Sequence, residues 1–269
     1  MNHNLIKIFE DTQNTYKTNS FLIEAGNKTK ENQICYKEGQ EINCDKNRFP
    51  LDAKIVLSTK RTFEAAEKYV KEGKRVAVLN FANSFSPGGG VVHGARAQEE
   101  CLCRVSNLYD CITSPQMIKN FYQPHIESLS DLANDDAIYS PDVVVFKSDI
   151  SLPQIRPENE WFKVDVITCA APYTNPYECK ITLQKLKQLH ESRAKQILNI
   201  ALVNKADVLI LGAFGCGAFK NPPEIVAKVY KEMLKEYSHS FEVIEFAIYC
   251  PDKETHNYMC FKEVLESRN

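Results

Sequence analysis

The chain has 269 residues, 43% of them hydrophobic and 25% charged, with a formal net charge of −2. That length fits one large core, or one core with a small appendage. The near-neutral charge, with no basic stripe, argues against a general nucleic-acid surface.

No apolar run approaches the roughly 18–20 residues of a membrane span. The opening MNHNLIKIFEDTQNTYKTNS lacks the apolar core and small-residue cleavage site of a signal peptide. Of the ten cysteines, most lie inside apolar runs, such as Cys169 in VITCAA and Cys250 in FAIYC. Buried free cysteine behaves as a small hydrophobe. The pairs Cys35/Cys44 and Cys101/Cys103 do not have the C-x2-C spacing of a zinc site. A reducing, cytoplasmic setting is expected.

In chain order, residues 1–50 read as an N-terminal helical extension packed on a main domain of residues 51–269. The opening suggests one or two helices. The stretch GNKTKENQICYKEGQEINCDKNRFP is rich in turn formers and charge, and reads as a surface excursion. AKIVLS (53–58) and RVAVLNFA (75–82) are strand-like, with TFEAAEKYVKEG as a helix between them. The cations of KEGKR (71–75) suit that helix's C-terminal end. QEECLCRVSNLYDCI is expected as one helix, then VVVFK (143–147) and KVDVITCAA (163–171) as strands. From Thr182 to Lys205, Leu183, Leu186, Leu189, Ala194, Ile197, Leu198 and Ala201 recur at three- and four-residue steps, the mark of a buried helical face. DVLILGAF follows as a strand, PPEIVAKVYKEMLKEY as a helix and FEVIEFAIYC as a last strand. Apolar strands separated by helices indicate an α/β fold whose sheet is covered on both faces. There is no internal repeat.

Two strands run directly into glycine-rich loops, NFANSFSPGGG and GAFGCGAFKNPP. Neither has the G-x-G-x-x-G of a dinucleotide fold or the GK[ST] of a P-loop. Glycine loops do present unobstructed N–H groups, which suits a diphosphate. At one sheet edge, two of them could enclose a ligand. Glu99 and Glu100 follow the first loop closely. Adjacent helical residues point about 100° apart, so the two carboxylates should have separate tasks. A helix start lowers a carboxyl pKa and burial raises it. A general acid for glycoside cleavage needs burial to win.

GGG, seven residues, then QEE, here Gly88–Gly90 and Gln98–Glu100, resembles the signature of poly(ADP-ribose) glycohydrolases. With GAFGCGAFKNPP downstream, the chain looks like the bacterial-type branch over roughly residues 5–250. The resemblance implies a three-layer α/β/α macrodomain with a mixed, mostly parallel sheet. It implies that Glu100 is the general acid and base on the ribose–ribose bond, and that Glu99 holds a neighbouring ribose hydroxyl. Gly88, Gly89 and Gly90 would form the catalytic loop, with Asn83 on the distal ribose and Gln98 among the substrate-binding residues. Gly215, Cys216, Gly217 and Ala218 would hold the diphosphate, and Phe219 would orient the terminal ribose. The implied chemistry requires no cofactor and no metal.

Asp149 in FKSDISLP is a candidate for the adenine contact, and a turn role is the alternative. His93, Tyr173 and Asn175 are candidate pocket residues. The expected partner is an ADP-ribose polymer or an ADP-ribosylated macromolecule, with no membrane or general nucleic-acid binding, and the chain is expected to be a monomer. The alternatives are a hydrolase of another ADP-ribosyl glycoside, on a protein side chain or nucleic acid, and a non-catalytic ADP-ribose reader. A reader would have Glu100 ion-paired and shut away from the pocket. A further alternative is a sheet protein whose glycine loops are turns only, and it predicts no ADP-ribose binding.

Overall fold

The computed structural model describes residues 2–174, 181–251 and 255–267. Two N-terminal helices come first, α1 (His3–Thr18) and α2 (Ser20–Glu31). Asn2 caps α1 by accepting from the Leu5 N–H, and Leu5, Phe9, Thr12 and Tyr16 form its buried stripe. Asn19 ends α1 and starts α2, its side chain accepting from the Leu22 N–H at 3.1 Å. β1 (Ile34–Tyr36) is a short strand inside the segment expected as a surface excursion. Three residues are too few to show an alternating pattern, and only pairing with a neighbour makes them a strand.

The main elements then follow: β2 (Lys54–Ser58), α3 (Thr62–Lys71), β3 (Val76–Ala82), α4 (Gln98–Val105) and α5 (Leu108–Ile112). A helical run comprises α6 (Pro115–Met117), a π-helical turn (Ile118–Tyr122) and α7 (Gln123–Ser128). After it come β4 (Ala137–Val145), β5 (Phe162–Ala170), α8 (Leu183–Val203), β6 (Val208–Leu211), α9 (Pro223–Glu236), β7 (Val243–Ala247) and α10 (His256–Glu266).

The sheet order is β1-β4-β5-β3-β6-β7-β2. The β1–β4 and β4–β5 pairs are antiparallel, and every other pair is parallel. Alternation along the strands builds two cores. Ala77, Leu79, Leu209 and Leu211 pack with Ile197, Ile200, Val226, Tyr230 and Phe261 from α8, α9 and α10. Val76, Val78, Val208 and Ile210 pack on the other face with Phe63, Leu102, Ile112 and Phe121. Phe9 of α1 enters this second core, while Tyr16 and Leu22 make a third cluster with Val144 and Phe146.

The helix expected across QEECLCRVSNLYDCI is broken between α4 and α5. Asn107 donates its N–H to Val144 O and accepts the Val144 N–H on Oδ1 at 2.8 Å, and Ser106 bridges to Val145. Pairing with β4 takes the hydrogen bonds that a continuous helix would use.

Candidate active site

The strands β5, β3, β6, β7 and β2 are mutually parallel, so their carboxyl ends share one edge of the sheet. A pocket of about 410 Å³ opens there, lined by residues following all five strands and by the start of α4. This is where ligands bind in open α/β sheets.

Gln98 docks α4 on the sheet. Its Oε1 accepts from the Phe81 N–H at 2.9 Å, and its Nε2 donates to Leu79 O at 2.7 Å and Thr62 Oγ1 at 3.1 Å. The amide is therefore consumed by the protein. Gln98 lines the pocket with its amide held in these bonds.

Glu99 turns toward β3. Its Oε1 accepts from Asn80 Nδ2 at 3.2 Å and its Oε2 from the Asn83 N–H at 2.9 Å. Asn80, fully buried, also donates to Thr168 Oγ1. Burial pushes the Glu99 carboxyl up to about 8, against the lowering by the Asn83 N–H and the Asn80 amide. At this carboxyl, burial outweighs the helix start. Asn83 is placed by an Asx turn, its Oδ1 accepting from the N–H groups of Phe85 and Ser86, both at 2.9 Å. This turn shapes the entry to the triple glycine.

Glu100 has a different environment. Its Oε1 accepts from the Gly90 N–H at 2.9 Å, whereas its Oε2 is buried without a hydrogen-bond partner. An unsatisfied buried oxygen costs about 1–3 kcal/mol. Here it belongs to a carboxyl in the pocket wall, and among the described residues Glu100 makes no ion pair. Gly89 lies against both acids. It has φ +55°, and a Cβ there would sit 2.5 Å from Glu100 Oε1 and 3.3 Å from Glu99 Oε2. The close approach demanded of this glycine is to the protein's own carboxylates.

A pH dependence follows from Glu99. Its folded pKa of about 8 exceeds the ordinary value of 4.5. The fold thus keeps a proton that the unfolded chain releases. This contribution to stability is complete below about pH 4.5 and is lost progressively as pH rises toward 8. Glu99→Gln, near-isosteric and uncharged, is expected to flatten the fall in melting temperature between pH 5 and pH 8. An unchanged slope in thermal melts of the variant refutes the assignment.

The second glycine loop joins β6 to α9. Gly215 has φ +76°, and a Cβ would meet Asn221 Nδ2 at 2.5 Å and Ala171 Cβ at 2.6 Å. Asn221 ties this loop to the end of β5, donating to Gly215 O at 3.0 Å and Pro172 O at 2.8 Å. Its Oδ1 can only accept, so His190 Nε2, 2.8 Å away, carries the proton. Burial drops the His190 pKa to about 4 and keeps the ring neutral. Gly215, Gly217, Ala218 and Phe219 line the pocket. Cys216 is the exception: its N–H bonds Ala213 O and its side chain packs against the core, so it offers the pocket neither thiol nor donor. Phe219 meets Tyr173 edge-on, with ring centroids 5.7 Å apart.

At another wall, the Arg61 guanidinium lies 3.9 Å from the centroid of the Tyr249 ring. Nearby Asp149 is buried, accepting from the Phe63 N–H at 3.1 Å on Oδ2, with Oδ1 unpartnered. Burial pushes its carboxyl up to about 6, against the lowering by Arg61. It lines the pocket as well as serving the turn. His93 is exposed in a short turn outside the pocket lining, and Asn175 lies outside the described residues. Sequence reading missed Asn80, Asn221, Arg61 and Tyr249. The Asn in the motif FKNPP was the one visible signal among them.

The family model for microbial-type PARG, catalytic domain, matches residues 4–148. The structure is similar to poly(ADP-ribose) glycohydrolase from Thermomonospora curvata, with 25% identity over 98% of this chain and 100% of that chain, at a TM-score of 0.85. The same protein bound to the inhibitor ADP-HPD aligns at 25% identity over 97% of this chain and 99% of that chain, at a TM-score of 0.83. Poly(ADP-ribose) glycohydrolase from Deinococcus radiodurans in complex with ADP-ribose aligns at 30% identity over 90% of this chain and 96% of that chain, at a TM-score of 0.79. No curated protein sequence matches.

Proposed function

The chain belongs to the family of microbial-type PARG catalytic domains, and from that premise we propose that it hydrolyses the ribose–ribose O-glycosidic bond of poly(ADP-ribose) from chain ends, with Glu100 as general acid and base. The observation that carries this reading is Glu100 itself: a side chain that lines the pocket, with one oxygen held by the Gly90 N–H and the other buried and unpartnered.

Protonated on Oε2, Glu100 gives its proton to the oxygen leaving the anomeric carbon as the glycosidic bond breaks. The resulting carboxylate then takes a proton from the water that attacks that carbon, and the acid is restored. Paired carboxylates on opposite faces of the bond are the usual arrangement. Here Glu99 is on the same side, fastened to β3, and its task is to fix Asn83 and the first loop and to meet a ribose hydroxyl. The ligand's diphosphate lies along Gly215–Phe219, where among the described residues no internal hydrogen bond takes the N–H groups of Gly217, Ala218 and Phe219. It helps to stabilise oxocarbenium charge on the ribose. Phe219, held against Tyr173, orients the terminal ribose. The base lies toward Arg61 and Tyr249, with Asp149 Oδ1 as acceptor for an exocyclic amine.

The lack of an ion pair at Glu100 among the described residues, and its place in the pocket, disfavour a non-catalytic reader. No helix of the described residues is long and apolar enough to cross a membrane. Cys103, Cys111 and Cys169 are buried free thiols, which supports a reducing setting. The test is to incubate the protein with purified polymer and follow products by chromatography. Free ADP-ribose accumulating from the first time points supports end-directed cleavage. Early release of long fragments overturns chain-end action, and no release at all overturns the polymer as substrate.

A further inference from the structure

Outside the pocket, three side chains of different chemistry converge. Glu224 lies in the first turn of α9, and His256 and Cys260 lie four residues apart on α10, on one helical face. Cys260 Sγ is 3.2 Å from Glu224 Oε1 and 3.7 Å and 3.9 Å from the two ring nitrogens of His256. His256 Nε2 is 3.9 Å from the same Glu224 Oε1. One ligand atom from each residue falls within 4.8 Å of the others.

We propose that Glu224, His256 and Cys260 form a zinc site, with water completing the coordination. Zinc binds thiolate sulfur at about 2.3 Å, imidazole nitrogen at about 2.0–2.1 Å and carboxylate oxygen at about 2.0–2.2 Å. A triangle with sides of 3.2, 3.9 and 3.9 Å has a circumscribed radius of about 2.1 Å, so one point reaches all three atoms at bonding distance. A mixed thiolate, imidazole and carboxylate set selects zinc over magnesium or calcium, which take oxygen ligands. Glu224 and His256 are exposed, their side chains 50% and 73% accessible, which leaves room for water. None of the three lines the catalytic pocket, although Asn257, next to His256, does. The ion would therefore act as a clamp, fixing α10 against the start of α9 and so bracing the wall of the pocket and the second glycine loop. It takes no part in the hydrolysis.

The spacing rules that found no zinc pattern at Cys35/Cys44 or Cys101/Cys103 could not reveal this site. Its ligands come from helices separated by a strand and a loop.

The test uses the untagged full chain, reduced and stripped with a chelator. Cobalt is titrated as a spectroscopic probe and zinc is then added in competition. One equivalent of cobalt with a thiolate charge-transfer band, displaced by zinc, is expected. Cys260→Ser should abolish the band, His256→Ala should weaken zinc binding at least tenfold, and Cys35→Ser should preserve both. Metal should raise the melting temperature of the wild type and leave that of Cys260→Ser unchanged. The proposal is overturned by a band that survives Cys260→Ser, or by no stoichiometric uptake at micromolar metal. These readouts are independent of glycohydrolase activity, so the zinc site and the proposed function fail separately.

Discussion

Glu100→Gln is expected to lower turnover of poly(ADP-ribose) by about 10²–10⁴-fold, the range a positioned acid/base contributes. ADP-ribose affinity should stay within about threefold of wild type, less than 1 kcal/mol. The split follows from the two oxygens of Glu100. A glutamine Oε1 can accept the Gly90 N–H as Glu100 Oε1 does at 2.9 Å, so the first loop keeps its shape. Its amide cannot deliver a proton to a leaving oxygen, and the reaction loses both steps assigned to Oε2. Glu100→Ala should abolish turnover as completely, but it also leaves the Gly90 N–H without its partner, at a cost of about 1–3 kcal/mol. Comparison of the two variants separates chemistry from loop geometry. Retention of more than one per cent of wild-type turnover by Glu100→Gln, with calorimetry showing normal binding, would remove Glu100 as the acid.

The second large effect is at Gly89. Gly89→Ala is expected to cost at least 100-fold in turnover and to lower the melting temperature. Its backbone at φ +55° disfavours any L side chain, and the new methyl would have to displace the Glu100 carboxylate, 2.5 Å away. Gly73 supplies the control: φ is +78° but a Cβ meets nothing within 4 Å. Gly73→Ala should show only the backbone penalty, about 1–2 kcal/mol. The primary clash of a side chain at Gly89 is with the Glu100 and Glu99 carboxylates, so turnover should fall further than affinity. Equal losses in turnover and affinity, or a Gly89→Ala enzyme with normal kinetics, would contradict this account.

Much of the fold was legible because strand and helix periods are local. The apolar runs around Val76–Ala82, Phe162–Ala170 and Val208–Leu211 emerged as the central strands. The stepped apolar residues after Thr182 became α8, with Thr182 as its cap. Local reading failed where partners far along the chain decided the outcome. Ile34–Tyr36 is a strand because β4 lies beside it. The helix after Glu100 stops because Asn107 pairs with Val144.

The same division runs through the site. The sequence alone determined that two glycine loops follow two strands, and that two adjacent carboxylates come soon after the first, nine and ten residues beyond Gly90. These features lie within a few residues of one another, and backbone φ and helical period are properties of short segments. Tertiary structure alone decided what each group does there. It spent Gln98 on β3, turned Cys216 into the core, and brought Arg61 against Tyr249. It also gave the neighbouring glutamates different fates, fastening Glu99 to Asn80 and Asn83 and leaving one Glu100 oxygen unsatisfied. Burial and hydrogen-bond partners set the proton affinity of a carboxyl, and both depend on strands and loops that meet only when the sheet is assembled.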